Sequence, residues 1–309
     1  MSQVVLLGPQ RFRPSLRDTV RSLGVEGPVA VVTAGWQERE SEDKELEAHL
    51  DCEVVDLLLY HRYDDVLSRD PELRAALRER QNRLKELQEL YRLRLGHMLQ
   101  AARELMAREG RGLFLREQRQ AAIRAVRTLD RQHLRRLSRI HEEFAWQWQP
   151  AERAPVAHHR RQLAGMLGRA SVLAIAGGHV SVLLNRLRLF DLLPLVAGRP
   201  IVAWSAGAMA LADRVVLFHD SPPQGAGNAE VLDRGLGWCR GIVPLPHARR
   251  RLRLDDPVRV ALFARRFSPS TCVILDETAR LAWDGERWRA APGTRALLRA
   301  GRVRAMAAA

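Results

Sequence analysis

Cysteine is scarce in this 309-residue chain: Cys52, Cys239 and Cys272 are odd in number and far apart. Neither a disulfide framework nor a zinc-ligand spacing follows from them, which places the protein in a reducing cytoplasm. Long apolar runs are also lacking. None approaches the ~20 residues needed to span a bilayer, so no membrane partner is expected. The opening stretch Met1-Ser2-Gln3-Val4-Val5-Leu6-Leu7-Gly8 has no basic leader and no extended apolar segment. It reads as a first strand and not as a signal peptide. With 46% hydrophobic residues a sizeable core is available, which argues against wholesale disorder.

Carboxylates are in deficit. Thirty-six Asp and Glu face 50 Lys and Arg, a formal net charge of +14, and almost all the basic residues are Arg. Such a balance attracts polyanions: nucleic acid, an acidic substrate or an acidic partner. It equally describes a solvated charged surface, and no groove-reading motif accompanies the charge.

Along the chain, short apolar runs alternate with helical stretches. Val4–Leu7, Val29–Thr33 and Glu53–Tyr60 read as strands, and Pro14–Leu23 and Glu40–Leu50 as helices. Continuous apolar strands separated by helices predict a parallel sheet covered on both faces. The composition then changes. From about Asp70 to Trp148 the chain is rich in Arg, Leu, Glu and Gln, without Pro after Pro71. Leu77, Leu84, Tyr91, Met98 and Leu105 recur every seven residues, with Leu73, Leu87, Leu95 and Ala102 between them, the a/d seam of a long amphipathic helix. Gly110-Arg111-Gly112 breaks it, and a second helix follows with Ile123, Val126, Leu137, Ile140 and Phe144 on its apolar face. The spacing predicts an antiparallel helical hairpin over residues 61–155, with arms of about 50–60 Å. It is inserted into one α/β domain made of residues 1–60 and 156–309. The α/β pattern resumes with a helix over Val156–Leu167, strand Ser171–Ala176, helix Ser181–Leu193 and strand Ile201–Trp204. Strands are also expected at Val215–His219, Ile242–Leu245 and Cys272–Leu275, a helix at Pro257–Phe267, and a closing hairpin around Asp284-Gly285.

The strongest chemical signal is Ala203-Trp204-Ser205-Ala206-Gly207-Ala208. A buried strand runs into a small-residue turn from which a helix starts at once, the arrangement of a nucleophile elbow. The serine hydroxyl then stands above the carboxyl edge of the sheet, beside backbone N–H groups that favour a developing oxyanion. Ser205 as a plain helix N-cap is the simpler reading of the same pattern. Gly177-Gly178 lies between strand Ser171–Ala176 and the following helix, where it is placed to supply a second N–H. A serine nucleophile needs a base. His247, in Pro244-Leu245-Pro246-His247, stands at another strand end, expected on the same edge of the sheet, and His219 is the lesser rival. The imidazole needs a carboxylate in turn, and Asp220 and Glu277 are the candidates.

These residues resemble the dipeptidase E–cyanophycinase family of serine peptidases, which share the class I glutamine amidotransferase fold. Ala176-Gly177-Gly178 followed by Leu183-Leu184 is similar to the family's oxyanion turn and helix, and Trp204-Ser205-Ala206-Gly207-Ala208 to its nucleophile motif. Gly235-Leu236-Gly237 and Pro246-His247 are similar to the segment bearing its histidine, and Leu275-Asp276-Glu277-Thr278-Ala279 to the strand end that bears its acid. The resemblance covers roughly residues 1–60 and 156–309 and leaves out the hairpin. It implies a parallel-sheet three-layer sandwich and a Ser205–His247–Glu277 triad, with Asp220 as the rival acid. Gly177, Gly178, Ala206 and His179 then line the oxyanion and substrate site. His179 departs from the family's usual Gly, Asp or Asn, and Ala248-Arg249-Arg250-Arg251 from its aromatic-containing stretch.

The expected activity is hydrolysis of a small peptide or acidic, peptide-like substrate, with no metal and no organic cofactor. The opposing expectation is a non-catalytic scaffold of the same fold, whose basic hairpin binds a protein partner or nucleic acid. The hairpin is further expected to wall the pocket with His61, Arg62, Trp146 and Trp148 at its root, and to offer a surface for homo-oligomers.

Overall fold

The computed structural model describes residues 3–110, 112–196, 198–220 and 227–307. Met1 and Ser2 of the expected first strand and Arg111 of the hairpin turn lie outside them. Short, mostly β-branched runs form β1 (Val4–Leu7), β2 (Val29–Val32), β3 (Val54–Asp56), β4 (Val172–Ile175) and β5 (Ile201–Trp204). They pair in the order β1-β5-β4-β2-β3, all parallel, as continuous apolar strands predict. β6 (Arg214–Leu217) pairs with β7 (Glu230–Arg234) as a separate ribbon. β8 (Ile242–Pro246) and β9 (Thr271–Leu275) run parallel to each other in a second sheet. The chain then returns to the central sheet. β10 (Arg280–Trp283) adds antiparallel to β1, and β11 (Trp288–Ala290) pairs with β10 across the turn holding Asp284-Gly285. β12 (Arg295–Leu297) and β13 (Val303–Ala305) complete the second sheet, ordered β13-β12-β9-β8.

Side-chain alternation divides the central sheet between two apolar clusters. Val5, Leu7, Val31, Ala174, Val202 and Trp204 pack with Leu16 and Val20 of α1 (Leu16–Arg21) and Leu46 and Leu50 of α2 (Lys44–Leu50). Leu6, Ala30, Val32, Leu173, Ile175 and Ala203 face the larger cluster. That cluster takes in α3 (Leu59–Arg69), the hairpin helices α4 (Pro71–Ala107) and α5 (Leu113–Trp148), α6 (Ala154–Arg169) and α7 (Val180–Leu189). It continues through α8 (Leu193–Val196), α9 (Ala206–Leu211), α10 (Ala248–Arg251) and α11 (Pro257–Phe267).

Two expected boundaries move for one reason. β3 ends at Asp56 and not at Tyr60, and α2 starts at Lys44 and not at Glu40. The Glu40 carboxylate is fully buried and accepts from the N–H groups of Tyr60 and His61 at 2.8 and 3.0 Å. It thereby satisfies the open N-terminal donors of α3, which begins after Leu58 turns the chain through a left-handed conformation. A buried cap contributed from 20 residues upstream leaves no local pattern.

The hairpin forms where the heptad seam predicts it. Asp70 caps α4 by accepting from Leu73 N–H at 2.9 Å, with Pro71 in the first turn. The arms are antiparallel, since Tyr91 meets Asp130 and Arg83 meets Glu143. Leu73, Leu77, Leu84, Tyr91, Leu95 and Ala102 are buried, as are Ile123, Val126, Leu137, Ile140 and Phe144. The arms do not stand free of the body. Arg266 of α11 is buried and donates to both Asp130 oxygens, at 2.7 and 2.8 Å, and to Tyr91 Oη at 2.8 Å. Tyr91 Oη accepts from Val231 N–H of β7 at 3.1 Å, and Gln88 donates to Val231 O at 3.2 Å. Among the described residues no helix is long and apolar enough to cross a membrane.

Candidate active site

Five parallel strands end on one edge, and β5 lies between β1 and β4. Ser205 follows β5 directly and adopts φ 51°, ψ −116°. A β-substituted residue rarely takes this conformation, and such strain persists only where the surroundings enforce it. The neighbouring glycines show how. A Cβ on Gly177 would stand 2.9 Å from Ser205 Cβ, and one on Gly207 would stand 2.4 Å from the Ile175 carbonyl oxygen. Gly178, at φ 110°, presses on Gly35, where a Cβ would come within 2.2 Å of the Gly35 carbonyl oxygen. The end of β4 is thus clamped between the turn after β2 and the turn after β5. Only hydrogen side chains permit that approach.

Ser205 is 8% exposed. Among the described residues its hydroxyl makes no hydrogen bond, and the N–H groups of Gly178 and Ala206 make no turn or loop hydrogen bond. Ser205 thus stands against the Gly177 turn at the end of β5. His179 caps α7, its Nδ1 accepting from Val182 N–H at 3.4 Å, and its side chain faces solvent.

His247 follows β8, which belongs to the second sheet and not, as the sequence suggests, to the edge that presents Ser205. Its left-handed backbone, φ 57°, turns the chain into α10. Parallel register pairs Pro246 with Leu275, so His247 and Asp276 leave adjacent strands together, and His247 N–H donates to Leu275 O at 3.4 Å. The two sheets meet at Gly8, the residue after β1. A Cβ there would lie 1.8 Å from the Asp276 carbonyl oxygen, and Gly8 N–H donates to Ala279 O at 2.9 Å. A cleft of about 450 Å³ opens at this junction, lined by Pro9, Arg13, His247, Arg249, Asp276 and Glu277 among others. β1 neighbours β5, with Leu7 opposite Trp204, but Ser205 is not among the residues that line this cleft. No hydrogen bond joins Ser205 to His247 among the described residues.

Burial holds the His247 imidazole below its ordinary pKa. The Arg251 and Arg250 guanidinium groups push in the same direction, while Asp276 and Glu277 oppose it. Glu277 is exposed, with an oxygen 4.0 Å from Arg13 Nε. Asp276 is more enclosed. Its Oδ1 accepts from Arg249 N–H at 3.2 Å, and its Oδ2 lies 3.6 Å from Arg249 Nε and from Arg295 Nη2 without a hydrogen bond. Asp276 is a carboxylate that the sequence motif does not single out, and the parallel pairing of Pro246 with Leu275 brings it out of β9 beside His247.

Asp220 stands elsewhere. It is buried, its two oxygens are bound by the Arg259 guanidinium, and it accepts from Arg253 N–H at 3.0 Å. Its own N–H donates to Arg251 O at 2.6 Å. Asp220 thus anchors the segment after α10, with no hydrogen bond to His247. None of the hairpin-root residues lines the His247 cleft. Arg62 instead donates to Leu57 O at 2.9 Å, Trp146 is 81% exposed, and Trp148 borders a groove with Phe144 and Arg80. Among the described residues no three His, Cys, Asp or Glu side chains converge as a metal site requires.

No protein-family model matches the chain, and no curated protein matches it. Among solved structures, the chain is similar to a peptidase from an acI-B1 Actinobacterium, at 13% identity over 99% of this chain and 97% of that one, with a TM-score of 0.48. It is also similar to a candidate peptidase E protein from Listeria monocytogenes EGD-e, at 10% identity over 94% of this chain and 98% of that one, with a TM-score of 0.45.

Proposed function

We propose that the protein is a serine hydrolase of the peptidase or amidase type, on a class I glutamine amidotransferase-like sandwich into which the helical hairpin is inserted. The observation that carries this reading is Ser205 itself: a strained serine at the carboxyl end of a central strand, its conformation enforced by glycines on the flanking turns. An N-cap needs no such strain, whereas a nucleophile held above a sheet edge does. Both solved structures above are described as peptidases, the class of reaction proposed here.

In the proposed cycle the Ser205 hydroxyl attacks a substrate carbonyl and His247 takes its proton. The oxyanion accepts from the N–H groups of Gly178 and Ala206. His247 then protonates the leaving amine, and water, deprotonated by His247, cleaves the acyl-enzyme. The carboxylates at the end of β9 orient the imidazole. Glu277 is the acid that the family resemblance points to, and Asp276 is the one adjacent to His247 in register. The absence of a Ser205–His247 hydrogen bond is compatible with this role, because catalytic contacts often tighten only when substrate binds. A depressed His247 pKa keeps the base neutral at physiological pH. Arg13, Arg249, Arg250 and Arg295 border the cleft and favour a carboxylate-bearing, peptide-like substrate.

The test is labelling of the folded protein with a small fluorophosphonate. Labelling is expected for the wild type and lost in Ser205→Ala and His247→Ala. A wild type that stays unlabelled, with its hairpin intact or removed, would refute the hydrolase and favour the scaffold.

A further inference from the structure

Between Gln118 and His141, α5 carries seven arginines and a single carboxylate, Asp130, which is buried and bound by Arg266. Arg124, Arg131, Arg135, Arg136 and Arg139 are exposed. Spacings of seven and four residues place Arg124, Arg131, Arg135 and Arg139 on one stripe, on the order of 20 Å long at 1.5 Å per residue. Elsewhere arginines near this hairpin hold carboxylates: Arg92 with Glu230, Arg83 with Glu143, Arg153 with Asp70, Arg188 with Asp233. Along the stripe no arginine does so among the described residues. Arg131 donates to Thr128 Oγ1 at 2.9 Å and Arg135 to Arg131 O at 3.4 Å, and neither contact neutralises charge.

The stripe also lacks apolar anchors. Among the described residues the large exposed hydrophobic ones are Phe12, Leu90, Leu93, Leu113, Phe114 and Trp146, and none falls between Arg116 and Arg139. The apolar face of α5 is already spent against α4, α11 and β7. A protein interface needs a buried aromatic or aliphatic centre, an interfacial membrane helix needs an apolar face to insert, and single-strand binding needs stacking aromatics. A duplex backbone needs none of these. It offers about one negative charge per 1.7 Å of axis, and releasing its counterions drives binding by charge alone. We propose that the Arg124–Arg139 face of α5 binds the phosphate backbone of double-stranded nucleic acid without reading its bases. This function is separate from the proposed hydrolase and does not depend on it.

The test is fluorescence anisotropy of a labelled DNA duplex of about 25 base pairs, titrated with the full chain from about 50 to about 200 mM salt. Wild type is expected to bind, with log affinity falling linearly in log salt and with no preference between two unrelated sequences. The triple variant Arg124→Glu/Arg131→Glu/Arg135→Glu is expected to lose at least about tenfold in affinity and to flatten the salt slope by about 3. The corresponding triple substitution to lysine, which preserves charge and controls for folding, retains binding within about threefold, because backbone contacts require charge alone. Ser205→Ala binds as wild type, so failure of either proposal leaves the other standing. The inference is overturned if wild type does not bind the duplex at the lowest salt or if the glutamate variant binds with unchanged slope. It is equally overturned if a poly-glutamate peptide or phosphatidylserine vesicles bind more tightly than the duplex.

Discussion

His247 and Asp276 leave parallel strands side by side, because Pro246 pairs with Leu275 and the His247 N–H reaches the Leu275 carbonyl. The imidazole consequently titrates between two opposing sets of charge. Burial, Arg251 and Arg250 depress its pKa, and Asp276 and Glu277 raise it. If His247 is the base, the rate of fluorophosphonate labelling rises with pH through a midpoint below the ordinary histidine value near 6.5. Arg250→Gln removes a positive charge that disfavours the imidazolium, so it shifts the midpoint upward. Asp276→Asn removes a negative charge that favours it, so it shifts the midpoint downward. Midpoints that stay put in both variants rule out His247.

The strain at Ser205 has its own signature. Glycine adopts positive φ freely and alanine does not, so Ser205→Gly is expected to be more stable than Ser205→Ala by about 1 kcal/mol or more and to melt higher, while both abolish labelling. Calorimetry on the two variants decides this. Equal melting temperatures would mean that the turn relaxes at no cost.

Gly177 and Gly207 test the clamp around that serine. A methyl group at Gly177 meets Ser205 Cβ at 2.9 Å, and one at Gly207 meets a backbone oxygen at 2.4 Å. Gly207→Ala is expected to cost about 1–3 kcal/mol, as overpacking does, because a strand carbonyl cannot swing aside. Gly177→Ala is expected to suppress labelling at a smaller cost in stability, because it displaces Ser205 itself. Urea titration and labelling of the same samples separate the two effects.

The Arg266–Asp130 pair holds the hairpin to the body. Removing one partner leaves the other charged and buried, so Asp130→Ala is expected to destabilise by about 3–5 kcal/mol. Hydrogen exchange should then rise first in α4, α5 and β7. Asp130→Asn/Arg266→Gln, which removes both charges, is expected to recover part of the loss.

Asp56 supplies a pH test of the edge. Burial, with Glu40 and Asp43 nearby, raises its carboxyl to about 7 from 3.8. A folded-state pKa above the unfolded one means the native protein binds the extra proton. The resulting stability is present at low pH and is lost as pH rises from about 4 through 7. Asp56→Asn keeps an oxygen for the Leu58 N–H, so it is expected to raise the melting temperature by a few degrees at about pH 8 and to change it little at about pH 4. Thermal melts at the two pH values read the difference.

Apolar runs such as Val4–Leu7, Val29–Val32 and Ile201–Trp204, set between helical stretches, read as strands buried on both faces of a helix-covered parallel sheet, and form them. The seven-residue recurrence from Leu77 to Leu105 and the glycines near residue 110 compel two long arms. The crowding of small residues around Ser205 marked a sharp turn, because only small residues permit so close a backbone approach. Other features arise only when distant segments pack together. The His247 strand fell in a second sheet because β8 and β9 pair with each other, and pairing between strands some 30 residues apart leaves no periodic trace. Asp220 went to Arg259, and Glu40 to the start of α3, because a buried carboxylate takes whichever donors the fold delivers. The seam of the hairpin closed against its own body because Arg266, Tyr91 and Asp130, up to 175 positions apart, satisfy one another only when packed together.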